Sequence, residues 1–225
     1  MSHLPWSTLL PLSVGGPAAA SAQLTLHLAA DAGRSELEQF IHQCFADRHQ
    51  ADVQHYLPEL LALRDASGRL VAAAGVRPAS SGALFVERYL DMPVHLALAD
   101  VQGAVVERGQ WVEVGNLASV DAGSARLMII LITWLLAVRG LQWVTFTGAA
   151  SLVNSFRRLG LQPSVLGVAD PRRLGEEHVQ WGRYYNQRPQ VMVGNIGQGF
   201  AALARIGLFQ RLGLPQVVEE SGHAA

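Results

Sequence analysis

Apolar and polar residues alternate over residues 23–28, QLTLHL, which puts Leu24, Leu26 and Leu28 on one face, as in a half-buried strand. The period then lengthens. Residues 31–48 carry Leu37, Phe40, Ile41, Cys44 and Phe45 at the spacing of one helical face and predict an amphipathic helix. Residues 60–64 and 70–76 are apolar runs joined by Asp65-Ala66-Ser67-Gly68, the pattern of an antiparallel hairpin. A further strand is predicted over residues 110–118, with Val112 and Val114 on one face and Glu113 on the other. Residues 124–138 then predict an apolar helix closed by Arg139 and Gly140, a cationic last turn followed by a helix-ending glycine. Residues 141–147 read as a strand, and residues 150–159 as a helix stopped by Gly160. This order predicts an α/β (α+β) domain built on one mixed central sheet flanked by helices. The domain is expected over residues 22–195, after a flexible extension at 1–21 and before an amphipathic segment and tail at 196–225.

Composition narrows the function classes. The 225 residues are 50% apolar and 16% charged, the profile of a soluble globular chain. Seventeen Lys and Arg against 18 Asp and Glu leave a net charge of −1, which argues against a general nucleic-acid surface. With Cys44 as the single cysteine, neither an internal disulfide nor a multi-thiolate metal site can form, and a cytoplasmic location is expected. His42, His49 and His55 lack a sustained helical i, i+4 metal spacing, so no metal site is expected.

Three segments bear on membranes. The first 23 residues hold a short apolar run, but no basic region precedes it and Pro5 and Pro11 break it, so an extension is expected rather than a signal peptide. Residues 127–138 are free of charge and reach only about 18 Å at about 1.5 Å per residue, short of the about 30 Å of a hydrocarbon core. Residues 197–214 are amphipathic, with Arg205 and Arg211 as their only charges; such a segment packs on its own domain or a partner subunit, or touches anionic lipid.

The chemistry concentrates in VEVGNLASVDAGSAR, residues 112–126. A strand running through a turn of small residues into a helix presents backbone N–H groups to a phosphate or a carbonyl. Glu113 is the one charge inside that strand, and a carboxylate half-buried in apolar surroundings has a raised pKa that suits proton abstraction. The alternative is a strand Glu paired with a basic neighbour such as Arg77.

Four segments, LFVERYLDMPVHLAL (84–98), WVEVGNLAS (111–119), FTGAASLVNSFRRLGLQP (146–163) and WGRYYNQRPQVMVG (181–194), closely resemble the thermostable hemolysin family. That family is similar to a branch of the GNAT acyltransferases near the acyl-homoserine-lactone autoinducer synthases. The resemblance implies a GNAT-like acyl-CoA N-acyltransferase fold and an enzyme that moves a fatty acyl group from an acyl carrier protein thioester, or from acyl-CoA, to an amine, yielding an N-acyl amphiphile. A second reading, which the family's name suggests, is a protein that perturbs membranes directly.

The resemblance also implies site residues. The acyl donor would lie along Asn116 and Leu117, with Gly123 and Ser124 at the helix start and Asn154 near the pantetheine amides, although a mid-helix Asn also suits a solvent-facing position. Asp121 stands where such enzymes usually carry a basic or amide residue; it disfavours the diphosphate of coenzyme A and favours acyl-phosphopantetheine on an acyl carrier protein, or it caps the helix. Arg126, Arg157 and Arg158 would attract that acidic carrier. Glu113 would be the base, and because Phe156 occupies the place of the usual proton-donating tyrosine, either Tyr184 or Tyr185 would be the acid or the thiolate would leave unassisted, as a thiol with a pKa of about 8–9 allows. Arg77, Glu87, Tyr89 and Asp91 would frame the amine acceptor, the last three alternatively forming a surface ion cluster with Arg88. Contact with the inner membrane would suit an enzyme with an amphiphilic product.

Overall fold

The computed structural model describes residues 6–15, 21–102 and 106–215. Its strands are β1 (Leu12–Val14), β2 (Ala22–His27), β3 (Glu59–Arg64), β4 (Leu70–Pro78), β5 (Trp111–Ser119), β6 (Trp143–Gly148), β7 (Ser164–Val168) and β8 (Gln190–Asn195). The helices are α1 (Trp6–Leu9), α2 (Arg34–His49), α3 (Val94–Gln102), α4 (Ala122–Val138), α5 (Ala150–Arg158), α6 (Ile196–Arg205) and α7 (Leu208–Arg211). The strands form one sheet in the order β1-β2-β3-β4-β5-β6-β8-β7, in which only β5 and β6 run parallel.

Strand alternation divides the core. Leu61, Leu63, Ala72, Ala74 and Val112 face α4 and α6, whereas Leu60, Ala62 and Ala73 face Leu37 and Ile41 of α2. Helix α4 is covered on two sides, by the sheet and by α6, which is why its sequence is apolar almost all round. Leu203 of α6 and Phe209 of α7 are buried in this same layer, so the amphipathic C-terminal segment packs on its own domain up to Leu214. Residues 216–225 of the expected tail lie outside the described residues.

Within the stretch expected as a flexible extension, Leu12–Val14 pairs with β2 as an edge strand, and Leu12 and Val14 are buried. Three residues after a proline are too short an alternation to read as a strand.

The feature that makes the site is a break in β5. Ala73 pairs with Ala118 and Gly75 with Gly115, so Asn116 and Leu117 together oppose Ala74 in a β-bulge. Asn116 adopts a left-handed conformation, φ 51°. The bulge bends β5. Parallel pairing with β6 covers only Trp111 to Glu113 against Trp143 to Thr145, while β6 stays paired to β8 as far as Gly148. Beyond Glu113 the two central strands part, each held by its outer neighbour.

Candidate active site

A cavity of about 970 Å³ fills the gap between β5 and β6 and passes from one face of the sheet to the other. On the α4 side its walls are aliphatic, formed by Ile129, Ile132, Leu136, Val144, Leu161 and Ala202. On the α2 side they are aromatic, with Phe45, His49, His55, Phe85, Trp181 and Tyr184. Its size lies at the upper end of the roughly 300–1,000 Å³ usual for small-molecule pockets.

Glu113 lines this cavity at the point where the strands separate, and its side chain is buried with 3% exposure. Its Oε2 accepts from the Phe85 N–H at 2.8 Å and its Oε1 from the Val86 N–H at 2.9 Å. Arg77 is its cross-strand neighbour, but the guanidinium donates to the Ala83 carbonyl at 3.1 Å. Burial pushes the Glu113 carboxyl above its ordinary value, and the two N–H donors and the Arg77 charge offset this only in part.

Two clamps set the surroundings. The Asn116 Oδ1 accepts from the Leu57 N–H at 2.9 Å and its Nδ2 donates to the His55 carbonyl at 3.0 Å, which fixes residues 55–57 over the bulge. Gly75 makes room for this clamp, since a Cβ there would stand 2.7 Å from Leu57 Cβ and 2.9 Å from Asn116 Oδ1. The second clamp is Glu87. Its carboxylate accepts from the N–H groups of Leu84 and Val94 at 2.9 and 3.1 Å and from both terminal nitrogens of Arg108 at 2.5 and 2.9 Å. Burial alone would raise the Glu87 carboxyl, yet these donors hold it below its ordinary value. The turn of residues 85–89 thereby presents two N–H groups to Glu113.

Glu87 therefore shapes the site from behind rather than from the cavity wall. None of the four residues expected to frame the acceptor lines the cavity: Arg77 and Glu87 are committed as described, Asp91 pairs with Arg173 at 2.8 Å on the surface, and the Tyr89 hydroxyl meets that of Tyr185 at 2.5 Å. The two candidate acids separate for the same reason. Tyr185 is turned to Tyr89, whereas Tyr184 lines the cavity with its hydroxyl 3.4 Å from Thr147 Oγ1. Burial raises both phenols, which stay protonated at neutral pH.

Asn116 and Leu117 line the cavity; Gly123 and Ser124 do not, although Ala122 and Ala125 on either side of them do, and Asn154 is exposed on α5 while its neighbours Ser151, Leu152 and Ser155 reach the cavity. Asp121 caps α4, its Oδ1 accepting from the Ser124 N–H at 2.8 Å. Accordingly the bonds to Ser124 and Gly123 hold its carboxyl below the ordinary range. Sequence reasoning missed Phe45, Phe85 and Trp181; their only signal was that two of them fall inside the segments shared with the family. Among the described residues no group of three His, Cys, Asp or Glu is placed to hold a metal ion, and no helix is long and apolar enough to cross a membrane.

A mixed sheet with its two parallel strands splayed over a through-going cavity defines a GNAT-like acyltransferase fold. The family model for thermostable hemolysin matches residues 27–200, and the chain belongs to that family. Among solved structures, the acyl-homoserine-lactone synthase LasI superposes with a TM-score of 0.57 at 10% identity, covering 87% of this chain and 98% of LasI. BjaI, a CoA-dependent acyl-homoserine-lactone synthase seen with SAM and isopentyl-CoA, gives 0.56 at 17% identity over 88% of this chain and 92% of its own. FeeM, an N-acyl amino acid synthase from uncultured soil microbes, gives 0.54 at 11% identity over 82% and 97%. These likenesses define the fold. No curated protein matches the chain.

Proposed function

We propose that this protein is an N-acyltransferase that moves a fatty acyl group from a phosphopantetheine thioester to an amine, releasing an N-acyl amphiphile and a free thiol. The observation that carries the reading is the cavity through the β5–β6 gap, aliphatic on one face of the sheet and polar-aromatic on the other, with Glu113 at the junction. An extended acyl chain suits the aliphatic side, and the amine then approaches from the side that Glu113 faces. LasI, BjaI and FeeM, which share the fold, are all named for products made by acyl transfer to an amine.

In this reading the thioester carbonyl lies against the bulge at Asn116 and Leu117, where the interrupted ladder would offer a backbone N–H to the oxyanion. The amine nitrogen attacks the carbonyl carbon and gives its proton to the Glu113 carboxylate. The C–S bond breaks, and Tyr184 protonates the departing thiolate, itself a fair leaving group with a thiol pKa of about 8–9. The proton held by Glu113 returns to Tyr184 through solvent, which closes the cycle.

Asp121 directs the donor. Its carboxylate at the start of α4 repels the extra phosphates of coenzyme A and consumes N–H groups there, which favours a thioester carried on acyl carrier protein. The cytoplasm is where such a donor is found, and contact with the inner face of the membrane would suit an enzyme that releases an amphiphile. The test is thiol release by the purified protein from matched acyl-carrier and acyl-CoA donors, with and without amine. Amine-dependent release supports the reading; thiol release from neither donor contradicts it.

A further inference from the structure

The aromatic side of the cavity says what kind of amine fits. Trp181 stands 5.7 Å from Phe85, 5.5 Å from Tyr184 and 6.2 Å from Phe45, measured between ring centroids. His49 meets Tyr184 edge-on at 5.3 Å and His55 tilts over Phe85 at 5.4 Å, so six rings form one continuous wall. Phe45, His49, Phe85, Trp181 and Tyr184 are half-buried and line the cavity, whereas Trp111, stacked on Trp143, has no exposure and does not line it.

The segment carrying Trp181 is anchored by backbone rather than by the rings. The Asp52 N–H donates to the Gln180 carbonyl and the Arg183 N–H to the His49 carbonyl, each at 2.6 Å. Gly182 permits this approach, because at φ 51° a Cβ would stand 2.2 Å from the Gln50 carbonyl oxygen. The segment is thus fixed where Trp181 and Tyr184 line the cavity.

Charge on the wall restricts the ligand further. Among the described residues that line the cavity, the carboxylates are Glu113 and Asp121, the first engaged by two N–H groups and the second by its helix cap. Burial lowers the pKa of His49 and of His55, so both rings are neutral at neutral pH. A polyamine would bring a second ammonium with no free counter-charge. A flat ring, by contrast, gains offset-stacked and edge-to-face contacts with Trp181, Phe85 and Tyr184.

On the acyltransferase reading above, we infer that the acceptor is a primary amine bearing one aromatic ring, an arylalkylamine or an aromatic amino acid, seated against Trp181 and Phe85 with its nitrogen at Glu113. The balance is that of simple acyl transfer: the N–C bond forms, the C–S bond breaks, and one proton passes from nitrogen to the thiol.

The test compares 2-phenylethylamine, phenylalanine, hexylamine and putrescine as acceptors at saturating donor, with product quantified by mass. An aromatic acceptor should exceed hexylamine in kcat/KM by roughly 10–200-fold, the range one well-placed apolar contact provides. Preference for phenylalanine over 2-phenylethylamine assigns an amino acid, and the reverse a decarboxylated amine. Trp181→Leu, and separately Phe85→Leu should Trp181→Leu not fold, should drive the aromatic-to-alkyl ratio toward one and raise KM for the amine more than KM for the donor. Equal use of hexylamine, or a variant that changes acyl-chain preference while amine selectivity stays, overturns the acceptor assignment and leaves the acyltransferase standing. Transfer to no amine at all overturns both.

Discussion

Glu113 holds Phe85 by its backbone: the carboxylate Oε2 accepts the Phe85 N–H at 2.8 Å, which ties the strand at the centre of the sheet to a turn 28 residues earlier. One bond therefore joins the proposed base to the aromatic wall of the acceptor side. The consequence for experiment is that Glu113 has two roles that a single substitution would remove together, and pH separates them.

Glu113→Gln should lower kcat/KM by about 10²–10⁴-fold if the carboxylate accepts the proton. In the wild type, activity should rise with pH through a limb set above the ordinary carboxylate range, because burial raises this carboxyl, and the limb should be missing in the variant. A purely structural role predicts a uniform loss with the limb retained. The same raised pKa means that Glu113 supports folding fully below its unfolded pKa and loses that contribution as pH rises through the folded value. Denaturation midpoints of wild type and variant, compared across pH, check the sign.

Asn116 should prove a stability hinge. Asn116→Gly keeps the left-handed conformation but leaves the Leu57 N–H without its acceptor, a cost of about 1–3 kcal/mol. Asn116→Ala adds the strain of a Cβ at positive φ, about 1–2 kcal/mol more. Urea unfolding curves should rank wild type above Gly above Ala, and equal stability of the two variants would contradict the bulge geometry.

Much of this arrangement was legible from periodicity. Residues 31–48 and 124–138 were expected as helices and are helical over Arg34–His49 and Ala122–Val138, since their apolar faces are long enough to fix the period. The strand expected over residues 110–118 is Trp111–Ser119, but its bulge was hidden: Asn116 does not differ in hydropathy pattern from a residue that continues the strand. Glu113 was visible as a charge out of place, whereas its partners were not, because backbone N–H groups carry no sequence signature. Glu87 and Asp91 looked alike as acidic residues of one short segment; only packing shows that the first is the Arg108 clamp and the second a surface ion pair. Tyr184 and Tyr185 are adjacent, and a local turn decides which one meets the cavity.

Tyr184→Phe should lower kcat by about 10²-fold or less with little change in KM, because the phenol acts only as the thiolate leaves. A donor with a more acidic thiol, which needs no proton, should restore the rate. Tyr185→Phe should leave the kinetics with both donors nearly unchanged and instead reduce stability, since its hydroxyl meets Tyr89 and not the cavity. Steady-state kinetics with the two donors distinguishes the tyrosines.

Arg157 and Arg158 are exposed at the end of α5, the helix whose Ser151, Leu152 and Ser155 line the cavity. Reversing both charges should slow association with acyl carrier protein and make it less sensitive to salt, while acyl-CoA kinetics stay as they were. Asp121→Asn should keep the helix cap and narrow the gap between the two donors. If matched acyl chains on coenzyme A and on the carrier perform equally in the wild type, the carrier preference is lost although the acyltransferase remains.

The most direct measurement is the mass of what forms when the purified protein meets a defined long-chain acyl thioester and an amine. The account predicts an N-acyl amide in one-to-one ratio with released thiol, strongly reduced in Glu113→Gln. Lysis of liposomes by the protein alone, with no amide formed from either donor, would contradict it.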